Sequence, residues 1–95
     1  MSDMITAAVE ALTEKVTGTF DGVAKFVIED EGAIMLDESG VRAGDEEAEV
    51  TLTAAADVFE GMLSGETNPT MAFMSGQLKV DGDMGLAMKL AGVLS

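Results

Sequence analysis

The sequence predicts an α+β fold, one domain over residues 1–95. Apolar residues recur every three or four positions at both ends and every second position between them, with turn residues in the gaps. The chain has 95 residues, 47% of them hydrophobic and 11 of them glycine, and a net charge of −13 from 18 acidic and five basic side chains. That apolar share sets it apart from charged disordered chains, which have too little surface to bury. No tandem repeat, low-complexity tract or Pro/Gly/Ser linker divides it.

Residues 2–16 open with Ser2 or Asp3 as a cap and place Ile5, Val9, Leu12 and Val16 in one narrow arc of a helix. Barely two heptads are present, so the stripe suits packing on its own domain better than a coiled coil. From Phe20 the period becomes two. Ala24, Phe26 and Ile28 alternate with Lys25, Val27 and Glu29; Asp30-Glu31-Gly32 turns; Ile34 and Leu36 resume the inward face. Glu38-Ser39-Gly40 leads into a short strand at Val41–Ala43. Gly44 and Asp45-Glu46-Glu47 form a solvated loop, and Val50 and Leu52 alternate again. Four strands with turns of two to five residues predict an antiparallel meander.

Helical spacing then returns. A helix opening at Thr53 or Ala54 sets Val58, Phe59, Met62 and Leu63 on one side and stops at Gly65. Asn68-Pro69 caps a short helix over residues 69–75, ended by Gly76. A fifth strand follows over residues 77–81 with Leu78 and Val80 inward, and Asp81-Gly82-Asp83 caps a last helix from Met84 to Leu94. The apolar arc of that helix approaches ~200°, wider than the ~100° that one docking face requires. It therefore covers the core and faces something else, either a partner chain or an apolar cavity.

What is missing narrows the chemistry. Without Cys or His the chain has no thiolate nucleophile, zinc–thiolate site or imidazole base. Without Trp or Tyr, and with carboxylates in excess, it predicts no nucleic-acid partner and no strong binding to anionic membranes. The carboxylate pairs at Asp30-Glu31, Asp37-Glu38, Asp45-Glu46-Glu47 and Asp81-Gly82-Asp83 all fall in turns, where carboxylates are solvated, whereas a catalytic pair needs one carboxyl held in an apolar pocket. Asp81-Gly82-Asp83 is a fragment of a calcium loop at most, and turn plus cap explains it better. Gly82-x-x-Gly85 lacks the Lys-Ser/Thr of a phosphate loop. No enzyme, metal or cofactor is expected. Met1-Ser2-Asp3 lacks a basic leader, no apolar run is long enough to span a bilayer, and Gly92-Val93-Leu94-Ser95 is neither a peroxisomal address nor a prenylation box, so the expected location is cytoplasmic.

The methionines remain. There are eight, and Met62, Met71, Met74, Met84 and Met88 fall within helical segments of the second half. Flexible, polarizable side chains in such number suit either an adaptable aliphatic pocket or a core filled by Met, and composition leaves both open.

From Asp57 onward the residue order carries a resemblance. Leu63-Ser64-Gly65, Asn68-Pro69, Ala72-Phe73-Met74, Gly76-Gln77-Leu78-Lys79-Val80 and the run from Gly82 to Leu90 resemble the sterol carrier protein type-two domain, the nonspecific lipid-transfer family. Phe26 to Asp30 and Ala48 to Thr53 fit more loosely. The resemblance implies a five-stranded, mostly antiparallel sheet covered on one face by helices, with an apolar tunnel between the layers. It implies a non-catalytic carrier of fatty acids, fatty acyl-CoA, phospholipid or sterol-like lipids. The tunnel lining it implies is Phe26, Ile28, Phe59, Met62, Leu63, Met71, Met74, Leu78, Met84, Met88 and Leu90, with Ile34, Val50 and Leu52 as further floor, and Lys79 and Lys89 are the head-group candidates. The net charge of −13 departs from the basic eukaryotic carriers of the family and argues against electrostatic docking on anionic bilayers. Two other readings stay open: an interaction module docking a second copy or a larger enzyme through the C-terminal helix, and a presenter of polyprenyl-quinone intermediates to biosynthetic enzymes.

Overall fold

The computed structural model describes residues 3–16 and 20–94. The order is α1 (Asp3–Lys15), β1 (Ala24–Ile28), β2 (Gly32–Asp37), β3 (Gly40–Ala43), β4 (Val50–Ala54), α2 (Ala56–Ser64), α3 (Pro69–Ser75), β5 (Leu78–Gly82) and α4 (Met84–Leu94). The short helix and the last helix fall where their caps predict. A cap at Ser2 lies outside the described residues. Strand β4 runs on through Ala54, so α2 starts at Ala56, three residues after Thr53 and two after Ala54, with Ala55 alone as the joint.

The sheet order is β3-β2-β1-β4-β5. Only β1 to β3 form the expected meander. Strand β4 lies parallel to β1, in register Ala24↔Val50 to Ile28↔Ala54, and β5 returns antiparallel on β4. The meander fails at the acidic loop because residues 44–49 make a crossover, not a hairpin turn. The loop is tied to the sheet's outer face by Lys25 Nζ, 2.9 Å from Asp45, and by Arg42, which reaches Asp37 at 2.8 Å and Glu46 at 3.3 Å. Beneath it Met35, on the outward side of β2, is fully buried. This loop is held by ion pairs and is not merely solvated.

The inner face is built by register. Ile34, Phe26, Leu52 and Val80 form one row across β2, β1, β4 and β5, and Ile28, Ala54 and Leu78 form the next. Alternation puts all of these on one side, and burial there supplies the main stabilisation of a chain this small. Helix α1 packs against β2, β3 and α2 through Ile5, Ala8 and Leu12, while α4 packs against β4 and β5 and touches α1 and α3. No helix among the described residues is long and apolar enough to cross a membrane.

Candidate functional site

The interior is filled unevenly. Under α1 and α2, Phe26, Phe59, Met62, Leu12 and Leu36 leave no exposed surface to speak of, and the ring of Phe59 lies 5.6 Å from that of Phe26. At the other end of the sheet, between β5, α3 and α4, a cleft of about 60 Å³ opens. Its floor is Leu52 on β4 with Leu78 and Val80 on β5. Its walls are Pro69, Thr70 and Phe73 from α3 and Met84, Ala87, Met88 and Ala91 from α4. The lining is apolar apart from the Thr70 hydroxyl.

Local sequence explains why these walls stand apart. Asn68 Oδ1 accepts from the backbone N–H of Thr70 at 2.9 Å and of Met71 at 3.2 Å, and Pro69 starts the helix where no N–H is needed. Gly76, at φ 85°, closes α3: its N–H donates to the Phe73 carbonyl at 3.2 Å, and that of Gln77 to Ala72 at 2.9 Å. Between these ends α3 packs along β5 but buries only Pro69 and Ala72, both small. Helix α4 starts on Asp83, whose Oδ1 accepts from Leu86 N–H at 3.1 Å. Leu86, Leu90 and Leu94 point it at the core, while the adjacent face, with Met84, Ala87, Met88 and Ala91, looks across at α3. The ~200° apolar arc is thus divided between core and cleft.

Of the side chains expected to line a tunnel, the structure brings Leu52, Leu78, Met84 and Met88 to the cleft, while the expected floor residues Ile34 and Val50 are buried in the core. Phe26, Ile28, Phe59, Met62 and Leu90 are sealed in the core, and Leu63 packs half-buried against it. Met71 and Met74 lie on the exposed side of α3 outside the cleft wall. Lys79 stands on the outer side of β5 between Leu78 and Val80, and Lys89 lies on the exposed side of α4; neither lines the cleft. The sequence reading passes over Thr70, Phe73, Val80, Ala87 and Ala91 as individual lining residues. The small ones carry no chemical signal; their contribution is the space they leave.

Among the described residues no charged or polar side chain is buried, and no group of three acidic side chains could hold a metal ion. One carboxyl has a displaced pKa: the Arg42 guanidinium hydrogen-bonded to Asp37 holds that carboxyl below the usual carboxylate range, helped by the Ser39 N–H. Asp37 lies at the far end of the sheet from the cleft, in the β2–β3 hairpin, so this is a structural ion pair.

Comparison with known proteins places these features. Residues 5–95 match the SCP-2 sterol transfer family. The hydroxysteroid dehydrogenase-like protein 2 of Xenopus tropicalis is 41% identical over 96 residues, a match that takes in 92% of this chain but 23% of that protein. The chain therefore spans less than a quarter of that longer relative. Among solved structures, sterol carrier protein 2-like 2 from Aedes aegypti superposes with a TM-score of 0.78 at 19% identity, over 95% of both chains. Sterol carrier protein 2 from Aedes aegypti, solved as a complex with the C16 fatty acid palmitate, gives a TM-score of 0.73 at 23% identity, over 100% of this chain and 97% of that one. With the family match running nearly end to end and the five-stranded sheet and four helices shared, the chain belongs to the SCP-2 sterol transfer family.

Proposed function

We propose that residues 1–95 form one non-catalytic lipid-binding unit that holds the aliphatic part of a fatty acid or similar lipid between β5, α3 and α4. The observation that carries this reading is the apolar cleft walled by Phe73, Met84 and Met88 over Leu78. The palmitate complex of the Aedes aegypti relative supports the same ligand class. The absence of any buried acid, base or nucleophile among the described residues favours binding over turnover.

The cleft's size sets how binding works. Pockets that enclose a drug-sized ligand run to roughly 300–1,000 Å³, so about 60 Å³ seats a few methylenes only. Taking in a longer chain requires α3 to part from α4. Helix α3 suits that movement, since it is flanked by Gly65 and Gly76 in the left-handed region and buries two small side chains. Each methylene that enters contributes about 0.8 kcal/mol. With one hydroxyl in the wall, selectivity falls on chain length and bulk rather than on the head group.

Displacement of a fluorescent fatty acid by a series of fatty acids tests the proposal, with native mass spectrometry counting bound molecules. Competition that strengthens with chain length at one lipid per protein is expected. A protein that neither quenches the probe nor retains lipid under native conditions would overturn it.

A further inference from the structure

The large hydrophobic side chains exposed among the described residues all belong to two helices: Met71, Phe73 and Met74 on α3, Met84 and Met88 on α4. Three are more than three-fifths exposed, Met71 at 64%, Met88 at 71% and Met74 at 76%. Helical geometry joins them to the opening. On α4, Met84 and Met88 are one turn apart on the cleft wall; on α3, Met74 is next to Thr70 at the cleft's edge, with Met71 beyond it. The mouth therefore has an apolar rim, and methionines form most of it.

Charge is distributed in the opposite sense. Fifteen of the 18 carboxylates and three of the five cations precede Ser64, which leaves residues 1–63 at −12. Residues 64–95 carry Glu66, Asp81 and Asp83 against Lys79 and Lys89, a net −1. The segment that supplies the rim is close to neutral, while the rest of the molecule is strongly negative. An acidic protein partner or an anionic bilayer meets net repulsion from such a molecule; a surface without net charge does not.

We infer that the α3–α4 rim is a docking surface for a zwitterionic lipid–water interface, entered by the exposed methionines and Phe73. Flexible thioether side chains conform to a fluid, irregular apolar layer without a fixed complementary shape. Because binding comes from apolar insertion, it is indifferent to salt, whereas the charge on residues 1–63 keeps the protein off anionic surfaces at low ionic strength. The docked orientation sets the mouth of the cleft against the lipid. The inference goes beyond ligand binding and stands without it, because the rim is exposed whether or not the cleft is filled.

Flotation of the whole chain with phosphatidylcholine vesicles and with phosphatidylglycerol vesicles, at low and high salt, tests it. The wild type is expected to float with phosphatidylcholine at both salt levels and to stay behind with phosphatidylglycerol at low salt. Replacing the two most distal rim residues, M71D/M74D, is expected to lower the phosphatidylcholine-bound fraction about tenfold or more, with circular dichroism verifying the fold. M71Q/M74Q gives the same loss without added charge. Wild-type protein that ignores phosphatidylcholine vesicles, or prefers phosphatidylglycerol, overturns the inference. So does a dimer in sedimentation that M71D/M74D dissociates, since a second copy then covers the rim. Fatty-acid displacement in vesicle-free buffer reports on the cleft separately, so failure of one proposal is distinguishable from failure of the other.

Discussion

Phe26 on β1 and Phe59 on α2 meet with ring centroids 5.6 Å apart and planes tilted by 56°. Both are buried, and the pair closes the interior at the centre of the sheet. On the function proposed above, a ligand is thereby confined to the β5 side. Phe59→Ala is expected to cost about 3–5 kcal/mol, read from urea denaturation. A loss well below 1 kcal/mol in that measurement would mean that the centre is not solidly packed.

The cleft exists because its α4 wall carries small residues. Ala91→Phe puts a ring into a space of about 60 Å³. Fatty-acid affinity is expected to fall about tenfold or more while the thermal midpoint stays within a few degrees, because Ala91 is only half-buried. Isothermal titration alongside calorimetric melting checks both halves of the expectation.

Gly82 ends β5 at φ 110°, in the region that side chains resist. A Cβ there would run into the Glu49 carbonyl oxygen and lie 3.0 Å from the Val50 Cα, both backbone atoms that cannot step aside. The same junction holds the hydrogen bond from Asp83 N–H to Glu49 at 2.9 Å, which positions the start of α4. Gly82→Ala is expected to destabilise by about 2 kcal/mol or more, and to weaken fatty-acid binding through displacement of Met84. Chemical denaturation and probe displacement on the same preparation would show the two effects together.

The Asp37–Arg42 pair gives a pH signature. The Arg42 hydrogen bond holds the Asp37 carboxyl below its ordinary pKa, so the pair's contribution is complete above the ordinary carboxylate range and is lost as pH falls through the lower folded value. The stability difference between wild type and Asp37→Asn is therefore expected to be constant near neutrality and to shrink below about pH 4. Urea midpoints measured across the acid range check the sign; a difference that grows on acidification contradicts it.

Much of this architecture is legible in the residue order. Asn68-Pro69 and Gly76 bound α3, Asp83 starts α4, and the alternation of Phe26, Ile28 and Leu52 assigns the inner face, because caps and periodicity are local properties. The partner of β4 was not legible. A loop with three acidic residues reads as a solvated hairpin turn until its ion pairs with Lys25 and Arg42 are seen, and those residues lie on other strands.

The site divides the same way. Period and composition alone determined that this chain is an α+β fold with a surplus of methionine and an overlong apolar arc on its last helix. The tertiary structure decided which apolar residues fill space and which border it. Phe59 and Met62 seal the core while Met84 and Met88 stand at an opening, although all four have the same hydrophobic character in the sequence. The difference is one of volume: a cleft is where Ala87, Ala91 and Pro69 fail to fill the gap between two helices, and no single residue type encodes a void.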